Sequence, residues 1–323
     1  VLGVIIVSYN TCALLHDCLQ SLRTCTLPLH TVVIDNHSAD ASGPMVRATF
    51  PEVQVHVLEC NRGFAAATNV GLRWLTAAGS PSPDYLLLLN PDTVVHAEAV
   101  EHLADFLQSH PRVGLVGPRL LNPDGSVQPA AFRFPTLMMS LLDVFPPGEV
   151  LPGRWYGSWW HGRYPQEQEQ QQEQAGHTPA PFPIDHPLGA CMLVRRPVVE
   201  QVGWLDERYF MYSEEIDWCW RIRRAGWAIW QVPAARVTHI GGGATRQFRG
   251  RMFIELHRSR LQFFRQHYGT AFLRLHRLIT AAGMVRAMGQ TWLRHHRQPL
   301  PPDERRTHVW ACGEVLRLVV QRV

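Results

Sequence analysis

Four consecutive leucines, Leu86 to Leu89, run straight into Asn90-Pro91-Asp92-Thr93. An apolar run this short, closed by turn residues, fits a strand buried on both faces of a sheet. Pro91 has no N–H to give to a ladder, so the strand ends before it. A carboxylate, Asp92, is thereby delivered to the carboxyl edge of a core strand, where open α/β sheets bind their ligands. The plainer alternative makes Asn-Pro-Asp a turn, with Asp92 capping a helix outlined by Ala97, Val100, Leu103 and Leu107.

The surrounding pattern alternates apolar strands with amphipathic helices. Strands are expected at 1–7, 31–34, 53–58, 85–89 and 113–116. Helices are expected at 14–22, 65–75 and 97–107. This order argues for an α/β fold with a mostly parallel central sheet flanked by helices. The dinucleotide fingerprint is missing, because the first strand leads into Ser8-Tyr9-Asn10-Thr11 rather than G-x-G-x-x-G. Residues 135–187 read as an irregular insertion. It holds the aromatic run Trp155-Tyr156-Gly157-Ser158-Trp159-Trp160, which could pack a loop base or stack on sugar rings, and a Gln/Glu tract at 166–174 expected to be a mobile loop. Order returns with a strand at 189–196 and helices after Pro197 and from Glu214 to Arg224.

All 31 basic residues are arginine. Without lysine, Schiff-base chemistry, pyridoxal phosphate anchoring and the lysine-bearing phosphate loop are excluded. Charge is also divided along the chain. Residues 1–244 carry 16 Arg against 23 acids, whereas 245–323 carry 15 Arg against 4 acids. The second part is expected to form a basic helical extension, 246–323, with Phe253, Leu256, Leu261 and Phe264 on one helix. Phe272, Leu275, Ile279, Ala282 and Val285 form a stripe on the next. Such helices suit an anionic membrane surface as a peripheral contact; packing on the core or a homodimer are the alternatives. Nucleic acid is not expected, since no reading motif accompanies the arginines. The seven cysteines form no C-x-x-C pair, and no signal-peptide pattern or membrane-spanning apolar run is present, so a cytoplasmic setting is expected.

Chemistry-bearing residues collect at expected strand ends. Asp35 lies in Ile34-Asp35-Asn36-His37-Ser38, and Asp92 ends the leucine strand. Glu214, Glu215 and Asp217 open a helix, and His239 precedes Gly241-Gly242-Gly243. Together with Val7-Ser8-Tyr9-Asn10, Asn61-x-Gly63-Phe64-Ala65, Asn69-x-Gly71 and Gly189-Ala190, these elements occur in an order that resembles inverting family 2 glycosyltransferases of GT-A fold, nearest their bacterial rhamnosyltransferase-like branch. The resemblance covers about residues 1–245, the expected catalytic domain.

That resemblance implies a role for each matched residue. Asp35 would hydrogen-bond the nucleotide, though an Asx-turn would equally explain it. Asp92 corresponds to the last acid of a D-x-D metal element whose first acid is here Asn90. With His239 it would hold Mg²⁺ or Mn²⁺. Glu215 would be the base that deprotonates the acceptor hydroxyl, with Glu214 or Asp217 as fallback; the alternative is an acidic first turn favoured by the helix dipole. Ser8, Asn10, Asn36, Arg62, Gly63, Asn69 and Asn90 would line the nucleotide-sugar, with Arg62 toward phosphate, and Gly189 and Ala190 would border the sugar. The implied donor is a dTDP- or UDP-sugar, rhamnose favoured, and the acceptor a glycan or polyprenyl-diphosphate-linked hydroxyl in cell-surface polysaccharide synthesis. Two other classes remain. A sugar-nucleotidyltransferase would open with a glycine-rich basic loop, which the first strand lacks. A non-catalytic carbohydrate or membrane-interaction module would have no use for both Asp92 and Glu215.

Overall fold

The structure, a computed structural model, describes residues 1–77, 83–146, 161–164, 178–243, 245–295 and 302–321. The aromatic run 155–160 and the tract 166–174 lie outside the described residues. The chain divides into two compact units. The first comprises Val1–Phe134, Arg163–Phe210 and Glu214–Arg246; the second comprises Pro135–Gly162, Met211–Ser213 and Gln247–Val323. The stretch read as one insertion, 135–187, is thus shared between them.

The first unit is built on a 10-stranded sheet. Its path runs β3 (Gln54–Val57), β2 (Leu29–Asp35), β1 (Leu2–Ser8), β4 (Tyr85–Leu89), β11 (Cys191–Arg195), β6 (Val113–Leu121), β12 (Ala228–His239) and β5 (Thr93–Val95). Short β7 (Val127–Gln128) joins at β6, and β9 (Phe182–Pro183) joins at β12. A separate pair is formed by β8 (Ala131–Phe132) and β10 (His186–Pro187). β3, β2, β1 and β4 run parallel, as do β6 and β12. β11 runs antiparallel to both of its neighbours, β4 and β6.

Every residue of β1 is buried, as expected of a strand covered on both faces. Its side chains alternate between two cores. Val4 and Ile6 join Leu87 and Leu89 beneath α1 (Cys12–Leu22), α2 (Ser42–Thr49) and α4 (Ala99–Ser109). Ile5 and Val7 join Leu86 and Leu88 beneath α3 (Phe64–Thr76) and the helix Glu214–Arg224. The leucine run therefore feeds both cores at once, two residues to each.

One expectation changes. The segment after Asp92 is not a helix start but strand β5, and α4 begins at Ala99 behind Glu98, whose φ of 63° breaks the chain direction. His239 ends a 12-residue strand, β12, which carries a register irregularity between Val232 and Arg236.

The second unit is helical. It holds α5 (Leu137–Val144) and, after α6 (Arg196–Val202) and α7 (Glu214–Arg224) of the first unit, the helices α8 (Arg249–His267), α9 (Thr270–His295) and α10 (Pro302–Val320). Its core is small, with Ile254, Met284, Ala311, Cys312 and Val315 buried together and Val144 against them.

Gly71 tests how tightly α3 seats on the sheet. A β-carbon there would stand 2.6 Å from Ile5 Cγ2. Alanine in a helix interior ordinarily adds about 0.5–1 kcal/mol over glycine. Overpacking against a buried, β-branched neighbour costs about 1–3 kcal/mol. Gly71→Ala should therefore lower the urea midpoint; a raised midpoint would show slack at Ile5.

Candidate active site

The parallel strands β1, β2 and β4 all end on one edge of the sheet, carrying Ser8, Asp35 and Asn90 there. β12 ends on the same edge at His239. Because β11 runs the other way, its amino end arrives at that edge too, and Gly189-Ala190 precede it. The tie is direct, since Asn90 N–H donates to Ala190 carbonyl at 2.8 Å.

Asp92 and His239 are joined by the β5–β12 ladder, which pairs Thr93 with His239. Asp92 Oδ1 lies 3.4 Å from His239 Nε2, and both side chains are about nine-tenths buried. Gln128 fixes the imidazole. Its amide nitrogen donates to Asn122 Oδ1 at 3.0 Å, so its oxygen faces His239 Nδ1 at 2.7 Å and accepts a proton from it. Nε2 is then the ring nitrogen turned toward Asp92. The other carboxylate oxygen accepts Gly243 N–H at 3.0 Å, and the Asp92 carbonyl accepts Ile240 N–H at 2.9 Å. This wrap explains the three glycines, because Gly241 and Gly242 both take positive φ (73° and 75°) to turn the chain back over the carboxylate. Burial alone would raise the Asp92 pKa; His239 and the Gly243 N–H outweigh it and hold the carboxyl below its ordinary value.

An oxygen and a nitrogen donor facing each other are a fitting donor set for a divalent cation. Among the described residues no group of three or more His, Cys, Asp or Glu side chains gathers at one point. A cation held here by the protein alone would have Asp92 and His239 as its side-chain donors. That suits Mg²⁺ or Mn²⁺, which take remaining ligands from water and phosphate.

The three acids of α7 have separate environments. Asp217 is 2% exposed and paired with Arg221 at 2.8 Å, while Arg221 also donates to the Val202 and Trp204 carbonyls. Glu214 is buried, and its carboxyl is pushed well above the ordinary range, by burial first and by the charge of Glu215 second. Glu215 is only partly buried and lies over Gly189, where a β-carbon would stand 3.4 Å from its Cγ. Gly189 thus seats Glu215 on the edge that carries Asp92.

Most of the other expected residues hold loops. Asn36 donates to Asn61 Oδ1 at 3.0 Å and to the Gly63 carbonyl at 3.1 Å, and accepts Arg62 N–H at 2.9 Å. Gly63, at φ 81°, brings the chain so close to Phe210 that a β-carbon would meet its carbonyl oxygen at 2.3 Å. Asn69 donates to the Leu205 carbonyl and to Glu207, and accepts Leu205 N–H. Asn69 therefore pins the segment leading to α7, while Asn36 holds the 61–63 loop that packs against Phe210 of it. Ser8 Oγ bonds Thr11 Oγ1, and Asn10 bonds Ala39 N–H and Ser38 Oγ. Asp35 accepts Ser38 N–H at 2.8 Å, the Asx geometry weighed from the sequence. Arg62 is half-exposed and reaches Glu207 only at 3.5 Å. Sequence reasoning missed Gln128 and the part played by Gly243. No local motif marks Gln128, which acts from a two-residue strand.

Residues 3–203 match the sequence profile of glycosyl transferase family 2. An N-acetylglucosaminyl-diphospho-decaprenol L-rhamnosyltransferase of Mycobacterium tuberculosis is 33% identical over 245 residues, covering 74% of this chain and 76% of that protein. The low-salt glycan biosynthesis hexosyltransferase Agl10 of Haloferax volcanii is 28% identical over 211 residues, 64% of this chain and 58% of its own length. Among solved structures, a mannosyltransferase of Pyrobaculum calidifontis in complex with GDP-Man and Mn²⁺ superposes with a TM-score of 0.54 at 16% identity, over 99% of this chain and 86% of that one. The chain belongs to glycosyl transferase family 2. It has the GT-A fold and is a glycosyltransferase.

The raised pKa of Glu214 has a stability signature. A carboxyl that holds its proton longer when folded stabilises fully below its unfolded value, ordinarily 4.5, and loses that contribution as pH rises through the folded value. Glu214→Gln removes the loss. The variant should be more stable than the parent at pH 8, with the gap closing near pH 4 in urea titrations. A gap that ignores pH would mean Glu214 is ionised in the fold.

Proposed function

We propose that this enzyme moves a sugar, rhamnose favoured, from a dTDP- or UDP-linked donor to a hydroxyl of a glycan or polyprenyl-diphosphate-linked acceptor, with inversion and with a divalent cation. The observation that carries the reading is the Asp92–His239 couple on the same sheet edge as Glu215 over Gly189. The 33% identity to a mycobacterial rhamnosyltransferase supports the choice of sugar and of a lipid-linked acceptor. The same likeness supports action in cell-surface polysaccharide synthesis, at the cytoplasmic face of the membrane. Among the described residues no helix is long and apolar enough to cross a membrane.

Each group then has a task. Glu215 accepts the proton of the acceptor hydroxyl as its oxygen bonds to the anomeric carbon and the bond to the diphosphate oxygen breaks on the opposite face. Glu214, its carboxyl pushed above the ordinary range by burial and by the charge of Glu215, is the poorer proton acceptor of the two. Asp92 and His239 would hold the divalent cation, whose charge would offset that of the leaving diphosphate. Asp35 and the loop laced by Asn10, Asn36 and Ser38 receive the nucleoside, and Asn69 fixes the loop that leads to the base. Arg62 has the reach and exposure to meet phosphate. The small surfaces of Gly189 and Ala190 leave room for the sugar.

Donor binding and turnover should separate. With a panel of dTDP- and UDP-sugars plus Mn²⁺ or Mg²⁺, Asp92→Ala should abolish cation-dependent binding by calorimetry. Glu215→Gln should bind donor within a few-fold of the parent and lose about 10²–10⁴ in kcat. Glu214→Gln should keep most of its turnover. An active Glu215→Gln would move the base elsewhere, and no nucleotide-sugar binding with any metal would sink the transferase reading.

A further inference from the structure

Helix α9 has one buried side and one exposed apolar side. His276, Thr280, Met284 and Thr291 are buried within the second unit, where Gly283 seats the helix on Val144 of α5. The exposed side runs through Ala271, Leu275, Leu278, Ala282, Val285, Gly289 and Trp292, with Leu293 beside it. The spacing alternates four and three residues, which keeps one straight stripe along the helix. Its large members stand well out of the protein, Leu278 at 67%, Trp292 at 64%, Leu293 at 60% and Val285 at 56% exposed. Scattered exposed leucines need no explanation, but a continuous apolar stripe marks a contact surface.

We propose that this stripe is a membrane contact, laid flat in the headgroup region of an anionic bilayer. Charge selects this occupant over a second copy of the chain. α9 contains no Asp or Glu, and Arg274 is exposed beside the stripe. Two copies meeting through it would set arginine against arginine with no carboxylate on either helix to receive them. The surface of an anionic bilayer supplies the missing negative charge. The wider unit agrees, with 15 Arg against 4 acids in residues 245–323. α9 is too polar to cross a bilayer, so it lies in the interface plane, where leucine and tryptophan enter the acyl boundary and arginine stays at the headgroups. This contact depends on neither the donor nor the base proposed above.

The test is vesicle flotation of the full chain, with light scattering on the same samples. Vesicles of phosphatidylcholine alone are compared with vesicles holding about a third phosphatidylglycerol. The parent should float with the anionic vesicles and bind the neutral ones roughly tenfold more weakly. Leu278→Glu with Val285→Glu should lose roughly tenfold or more of that binding, with donor hydrolysis and circular dichroism unchanged. The milder Leu278→Ser should lose an intermediate share, which guards against misfolding of the double variant. Three results would overturn the proposal. They are a parent that ignores both vesicles, a double variant that binds like the parent, or a dimer that Leu278→Glu splits and that never floats.

Discussion

β11 lies between β4 and β6 and runs against both, and this one reversal gathers the site. In a sheet whose strands all ran parallel, residues 189 and 190 would sit on the edge away from Asp35 and Asn90. Reversed, β11 enters at the ligand edge, and its first hydrogen bond links Ala190 to Asn90. Gly189 follows one residue away, and Glu215 lies over it. Asp92 is two residues from Asn90 on the other side. The two carboxylates that divide the proposed chemistry are therefore set by backbone pairing, not by flexible side chains. Such pairing is inexpensive to hold, because the ladder bonds would form in any case.

The first turn of α7 then shows how one helix end assigns different states to three acids. Asp217 is committed to Arg221, and removing either partner of such a buried pair costs about 3–5 kcal/mol. Its charge is thus a structural part that holds the 202–204 segment through Arg221. Glu214 is too buried to ionise readily beside Glu215. Glu215, only partly buried and seated over Gly189 at the sheet edge, is the member to which the proposed reaction gives the proton.

Legibility in the sequence followed the range of the forces involved. The leucine strand, β1 and the amphipathic α1 and α3 were readable because burial imposes short periods on nearby residues. The site acids were readable as charges at the ends of apolar runs. β5 was not, since three residues carry no period, yet it pairs Thr93 with His239 and so brings Asp92 and His239 together. Gln128 was invisible for the same reason: its role depends on a partner 111 residues away. Asn36 and Asn69 were noticed for their motif, but their hydrogen bonds hold loops, a distinction only coordinates could make. Of the stripe read on α9, Leu275, Ala282 and Val285 are exposed, while Phe272 and Ile279 are only half so and Leu278, left out of it, is exposed. The sequence offered no means of seeing that Leu275, Ala282 and Val285 face outward while Met284 faces in.

Two terms act in the bilayer contact, and their sizes decide which governs it. A bilayer attracts each nearby arginine by about 1 kcal/mol. Not all of the arginines of α9 are available, since Arg277 donates to the Val319 and Gln321 carbonyls and Arg286 to that of Val144. Each large apolar side chain contributes about 1.5–3 kcal/mol when fully buried, and less when it only enters the acyl boundary. Leu275, Leu278, Val285, Trp292 and Leu293 together outweigh one or two free arginines. Apolar burial therefore supplies most of the affinity, while the arginines choose an anionic surface and exclude a self-pairing helix. The order of the two terms also explains a compositional oddity of this extension, a strongly basic segment whose most exposed helix face is nearly uncharged.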